Sequence, residues 1–287
     1  MQHMAVNQIT AQFRTQYNDE FKFDYEREPS LLKQTVRNDG AQHGSTVKWD
    51  VVDPSDAANV RTRDGLIPVS QLGLSQATGT MEEHFKKYQI DSFDLFRANP
   101  NTRAAHARKG RASINKSIDQ AIIDALDGSS NAINSGNAID FGVKSTFLTW
   151  VSQLMNADVE WNGNIWGVIT PNAWLQMETI NDFVSIDFND VKPLVEGAPP
   201  VGQYREWLGV KWLRHTGLTG KGTSTAKCYI YDMNAIGHQI DGEPQTHMYY
   251  EDEEDRYGTW VKTIHCAALV LTRGVYRAVH DDTASIA

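Results

Sequence analysis

Between Asn99 and Gly128 the sequence specifies one long helix, and that segment restricts the folds open to this chain more than any other. Asn99 suits an N-cap, Pro100 suits the first helical position and Gly128 offers a stop, bounding up to about 28 residues, roughly 42 Å at 1.5 Å per residue. Ile114, Ile118, Ala121, Ile122 and Ala125 fall at i, i+4, i+7, i+8 and i+11. The second half therefore presents an apolar face that a sheet or another helix must cover. Gly110 interrupts the helix at a cost of about 1 kcal/mol relative to alanine, and is expected to mark a bend or the true start.

Upstream, Ile9, Phe13, Tyr17 and Phe21 lie four apart and predict an amphipathic helix, interrupted at Glu28, Pro29 and Ser30. That helix packs either on its own domain or as an arm on a neighbouring subunit. Thr46 to Val52 reads as a strand, and a second extended stretch runs from about Glu83 to Phe96. The polar segment of about 30 residues between them is too long for a plain connection, which predicts a projecting hairpin or binding loop.

Downstream, Asp127 to Asn137 (DGSSNAINSGN) is a polar connector and a candidate boundary. Val143, Phe147, Trp150, Val151, Leu154 and Met155 predict a second amphipathic helix, and Ile165 to Ile169 a buried strand. Thr170 and Pro171 cap a third helix carrying Trp174, Leu175 and Met177. Strands are expected at Trp207 to Leu213 and Lys227 to Tyr231, with a short helix after Asp232. Three final stretches, Thr246 to Tyr250, Thr259 to Leu271 and Val275 to His280, read as strands packed against the long helix. The sum is an α+β chain with a mixed sheet and helices, and no internal repeat.

With 287 residues and 40% hydrophobic content the chain can bury a core without staples. A net charge of -9 argues against generic nucleic-acid binding over the whole surface. Cys228 and Cys266 each stand alone in apolar stretches, so neither a disulfide framework nor a paired zinc motif forms, and a reducing compartment is expected. No apolar run reaches the roughly 20 residues of a membrane span, and the start lacks a basic flank followed by an apolar stretch, so a soluble protein without a membrane partner is expected.

Candidate chemistries are sparse. Ser113 and Lys116 match S-x-x-K, where the lysine could deprotonate a serine nucleophile, but S-D-N and K-T-G are absent. Gly217 and Gly222 have phosphate-loop spacing, yet Thr223 stands where lysine belongs, and a surface turn explains them better. The carboxylates Glu251, Asp252, Glu253, Glu254 and Asp255 lack EF-hand spacing and read as a solvated loop or as a docking site for a neighbour's basic patch. That patch is Arg97, Arg103, Arg108, Lys109 and Arg111 around the start of the long helix, with His106 among them. The acidic balance favours inter-subunit salt bridges there over nucleic-acid contact, since no aromatics interleave for stacking. The nine histidines form no ligand pair, so no metal, cofactor or catalytic residue is predicted. Trp150, Trp166, Trp174, Trp207, Trp212 and Trp260 are expected in the core.

The order of elements resembles tailed-bacteriophage major capsid proteins with the HK97-type fold. The similarity is carried by Ser30-Leu31-Leu32 and Val36, Arg61 to Asp64 (RTRD), Gln89 to Asp94 before the long helix and Asp119 to Leu126 (DQAIIDAL) closing it. Val168 to Pro171 (VITP), Trp207-Leu208-Gly209 and Asn234-Ala235-Ile236-Gly237 continue it. The resemblance implies an N-terminal arm over residues 1–40 and an extended E-loop over 41–98. It further implies a spine helix with the first part of a peripheral domain over 99–135, an axial domain over 136–241 and the rest of the peripheral domain over 242–287.

The implied function is structural and not enzymatic: hexamers and pentamers closing into an icosahedral shell around double-stranded DNA held without sequence-specific binding. Scaffolding, portal and decoration proteins are the implied partners, the virion is the implied location, and assembly takes place in the host cytoplasm. Arg103, Arg108, Lys109, Arg111, Asp252, Glu253 and Glu254 are the expected subunit contacts. An encapsulin-type nanocompartment shell and a serine hydrolase using Ser113 and Lys116 are the alternatives.

Overall fold

The computed structural model describes residues 29–39, 44–54, 58, 60, 61, 63–67, 69, 71–92, 102–184 and 204–284. The stripe of Ile9, Phe13, Tyr17 and Phe21, together with Asn99 and Pro100, lies outside them. In chain order the first half holds β1 (Arg37–Asn38), β2 (Thr46–Val52), β3 (Leu74–Thr80), β4 (Glu82–Asp91), α1 (Thr102–Asp127), β5 (Ala138–Ile139) and α2 (Lys144–Asn156). The second half holds β6 (Ile165–Ile169), α3 (Pro171–Met177), α4 (Asn181–Val184), β7 (Arg205–Trp207), β8 (Val210–Arg214), β9 (Ala226–Asp232) and β10 (Ile236–Ile240). It ends with β11 (Gln245–Glu251), β12 (Arg256–Leu269) and β13 (Val275–His280). The chain divides into two units.

The first unit contains residues 84–115 and 244–263. β11 and β12 pair antiparallel from Gln245↔Lys262 to Glu251↔Arg256, and β4 also pairs with β12. α1 runs through Gly110 without a break, so the expected bend is absent. The reason for glycine there is close approach: a Cβ at Gly110 would lie 2.6 Å from Val261 Cγ2, on buried Val261 of β12. Gly110→Ala is therefore expected to lower stability by about 1–3 kcal/mol through overpacking, against the roughly 1 kcal/mol that alanine contributes to an isolated helix. Urea denaturation checks the sign, since a stabilised variant would mean the contact relaxes freely.

The second unit contains residues 29–83, 116–243 and 264–287. Its six-stranded sheet runs β5-β13-β9-β6-β8-β7, with β6 parallel to β8 and antiparallel to β9. Every residue of β6 is buried, as the unbroken apolar run Ile165 to Ile169 requires of a central strand. Thr170 caps α3 by accepting from the Ala173 N–H at 3.2 Å, with Pro171 at the first helical position as expected. Phe141, Phe147, Trp150, Trp207 and Trp212 make edge-on and tilted ring contacts at 5.2–6.4 Å, filling the core with aromatic rings.

Several expectations need correction. The strand expected over Trp207 to Leu213 is a hairpin, because Leu208 and Gly209 take φ of 55° and 72° and turn β7 onto β8. β13 lies beside β9 and β5 in the six-stranded sheet, whereas β11 and β12 pair with each other in the other sheet. The apolar stripes are wider than the faces they bury: Val143, Met155 and Leu175 are exposed, and Ala121 and Ala125 are half-buried where Ile123 and Leu126 are fully inside. Trp260 is only half-buried, whereas Trp150, Trp166, Trp174, Trp207 and Trp212 are core residues as predicted.

The polar connector after α1 is held at its start. Asp127 accepts from Thr219 Oγ1 at 2.6 Å, from Lys227 Nζ at 2.9 Å and from the Tyr229 hydroxyl. Burial pushes its carboxyl up, but these donors outweigh it and hold it below the usual range. Ser129 Oγ then donates to the Val275 carbonyl at 3.0 Å, tying the connector to β13.

Candidate assembly surfaces

The segment expected to form a hairpin contains a second strand that its small polar residues (LSQATGT) did not announce. β2 and β3 pair antiparallel from Thr46↔Thr80 to Val52↔Leu74, forming a two-stranded ribbon. Val47 and Trp49 point inward and pack with Cys266, while Trp49 Nε1 donates to Asp39 at 2.7 Å. Gly237 makes room for that indole, since a Cβ there would sit 2.6 Å from it. Further along, burial ends. Val52, Val60, Leu66, Ile67, Val69, Leu72 and Leu74 account for seven of the sixteen large exposed hydrophobics among the described residues. Leu66 is 96% exposed and Val60 93%, values that an isolated soluble chain seldom concentrates in one loop.

The two charged groups occupy the first unit. Arg108, Lys109 and Arg111 are exposed on α1, with Arg111 Nε 3.4 Å from Thr246 Oγ1. Arg103 lies in α1, but its side chain is outside the described ones, as is Arg97. His106 is half-buried and stacks on Tyr88 at 5.4 Å. Asp252, Glu253 and Glu254 are exposed in the turn between β11 and β12, where Glu254 pairs with Arg256 at 2.7 Å. Asp255 is engaged locally, accepting from Ser92 Oγ at 2.5 Å and from the Tyr250 hydroxyl. Among the described residues no group of carboxylates, histidines and cysteines has the arrangement of a metal site.

The sheet of the first unit also carries an aromatic row on the side opposite Val261. Tyr249 lies across Gly258, where any Cβ would collide with its ring. His247 stacks on Tyr249 at 6.1 Å and meets Trp260 at a tilt at 5.3 Å, and Lys87 and Lys262 sit 5.3 and 5.4 Å from the Tyr249 and Trp260 ring centroids. Cross-strand pairing of alternate residues builds this row, and only knowledge of the register could have revealed it. Ser113 is half-buried and Lys116 exposed on α1. The Gly217 to Thr225 segment is a turn between β8 and β9, as expected.

One buried polar arrangement was missed at the sequence level. Asp119 of α1 accepts from Ser30 Oγ at 2.5 Å and from the Leu32 N–H at 3.1 Å, and His215 Nε2 lies 3.1 Å from its other oxygen. Asp119 and His215 are 1% and 2% exposed. The available signal was an aspartate between Ile118 and Ile122 on the apolar side of the helix, a position that demands partners.

A family model described as phage capsid protein matches residues 9–272. No curated protein matches this sequence as a relative. Solved structures share the fold end to end at low identity. The Cyanophage Pam1 capsid asymmetric unit superposes with a TM-score of 0.72 at 12% identity, covering 96% of this chain and 98% of that one. A chain of Mycobacterium phage Che8 gives 0.70 at 14%, covering 94% and 97%, and the capsid of Cyanophage P-SCSP1u gives 0.69 at 10%, covering 96% and 94%. The fold is the α+β HK97-type capsid fold, and the family is one of structural subunits, which sets aside the serine hydrolase and encapsulin readings. Matched over most of its length by that family model, the chain belongs to the phage capsid protein family.

Proposed function

We propose that this chain is the major head subunit of a tailed phage, closing as hexamers and pentamers into an icosahedral shell around double-stranded DNA. The observation that carries this reading is the ribbon loop, whose exposed apolar side chains need a partner surface in a chain of the phage capsid protein family. A heterologous contact of this kind, loop of one copy on the body of the next, closes into rings when repeated by symmetry. In this reading residues 1–40 are the arm, 41–98 the extended loop, 99–135 and 242–287 the peripheral domain, and 136–241 the axial domain.

Arg103, Arg108, Lys109 and Arg111 meet Asp252, Glu253 and Glu254 of a neighbour, a set of charges that steers docking more than it stabilises the shell. Assembly takes place in the host cytoplasm, with scaffolding, portal and decoration proteins as further partners.

The test is electron microscopy with light scattering on purified protein, wild type beside a Leu66→Ser, Ile67→Ser, Leu72→Ser triple variant. Wild type is expected to form closed shells or rings of five and six. The variant is expected to stay a folded monomer, because each serine removes about 1.5–3 kcal/mol of burial from every inter-subunit contact. A wild type that remains monomeric at all salt and crowding conditions would overturn the function, and a variant that assembles normally would overturn the role of the loop.

A further inference from the structure

Residues 29–39 form the last part of the proposed arm, just before the ribbon, and they have almost no regular structure of their own. Their one strand is β1, two residues paired in parallel with Gly237 and His238 of β10. Side chains hold the rest. Leu32 and Val36 are buried at 0% and 1% exposure, and Thr35 Oγ1 bonds the Tyr231 hydroxyl at 2.5 Å while donating to the Leu32 carbonyl at 2.8 Å.

The tightest hold is Asp119. Its carboxylate takes Ser30 Oγ at 2.5 Å, the Leu32 N–H at 3.1 Å and the Leu31 N–H at 3.4 Å from this segment. His215 approaches from the other side, and its tautomer is determined. The Gly217 N–H donates to His215 Nδ1 at 3.0 Å, so the ring proton sits on Nε2 and points to Asp119 at 3.1 Å. Burial alone raises the Asp119 carboxyl, but the bonds from His215 and Ser30 hold it low, so it stays an acceptor for every donor around it.

A carboxylate buried in a helix face is expensive to desolvate, and a well-packed apolar residue would serve stability as well. What an apolar residue cannot do is orient three consecutive residues by their N–H and O–H groups. We propose that Asp119, held by His215, is a positioning residue: it clamps residues 30–32 and sets the direction in which arm and ribbon leave the core, and through it the closure of the shell. The inference rests on the assembly function proposed above.

The test combines hydrogen exchange on isolated subunits with assembly of the same preparations, for wild type, Asp119→Asn and Ser30→Ala. In Asp119→Asn one acceptor oxygen becomes a donor facing N–H groups, so the Leu31 and Leu32 amides are expected to exchange at least about tenfold faster, while β6 and β9 amides keep their rates. Ser30→Ala removes one half-buried hydroxyl and is expected to shift the same amides by a smaller factor. Both variants are expected to give open or irregular assemblies where wild type closes. Unchanged exchange at Leu31 and Leu32 in Asp119→Asn overturns the clamp. Loss of protection in β6 and β9 together with these amides makes Asp119 an ordinary core residue, and loosened amides with normal closed shells remove the positioning role. If wild type itself never assembles, the capsid function fails on that control, whereas the exchange result still decides the clamp.

Discussion

Trp212→Ala is expected to remove about 3–5 kcal/mol from the second unit, a large share of the 5–15 kcal/mol that stabilises a typical domain. Trp212 is fully buried, meets Phe147 edge-on at 5.3 Å and Trp150 at 5.8 Å, and donates its Nε1 proton to the Trp207 carbonyl at 3.0 Å. Truncation leaves a ring-sized void and removes the indole's hydrogen bond to the β7–β8 hairpin. Gly167 of β6 lies directly under the indole, where any Cβ would collide with it. Gly167→Ala should therefore destabilise the wild type but be neutral or favourable in the Trp212→Ala background. A urea double-mutant cycle reads that coupling, and strict additivity would show that the ring and the glycine do not depend on each other.

Acid should weaken the subunit well above the pH at which ordinary carboxylates titrate. His238 on β10 is fully buried, and its ring nitrogens have no hydrogen-bond partner among the described residues. Burial, with Lys33 adding to it and Asp119 opposing it, lowers its pKa to about 4, and the His265 ring stands 5.9 Å away. An unfolded histidine titrates near 6.5, so as pH falls the unfolded chain takes up the proton first. The contribution is intact above about pH 6.5 and declines toward pH 4 by roughly 3 kcal/mol. His280, also buried and also lowered, acts in the same direction. Asp119 works in a different window: its folded pKa is depressed, so its contribution is present above the ordinary carboxylate value and is lost only as pH falls through the lower folded one. Urea midpoints at pH 7, 5.5 and 4.5 should show the slope, reduced in His238→Leu. Equal slopes in the two proteins would sink the assignment.

Legibility in the sequence followed how local the cause was. β2, β6 and β13 lie over the residues their patterns specify, and Thr170 with Pro171 announced α3, because alternation, apolar runs and caps act within a few residues. β3 was missed because Leu74 to Thr80 has little intrinsic strand preference and is held by pairing with β2. Arg108, Lys109, Arg111 and the run Asp252 to Glu254 stand out in the sequence as charged groups, but the exposure of the apolar side chains of the loop does not. Single apolar residues among Asp, Ser and Gly look the same whether they face a core or water.

Sequence alone determined the α+β class, the long helix, the tryptophan core and the family resemblance, since these rest on periodicity, on capping chemistry and on the order of elements. Tertiary structure decided what long-range partners control. It joined β13 to β9, divided the terminal strands between two sheets, assigned Gly110 and Gly167 to close contacts and brought Ser30, Leu31, Leu32 and His215 to Asp119. Each of these depends on residues far apart in the chain meeting within a few ångströms, and no local pattern encodes which distant residue that will be.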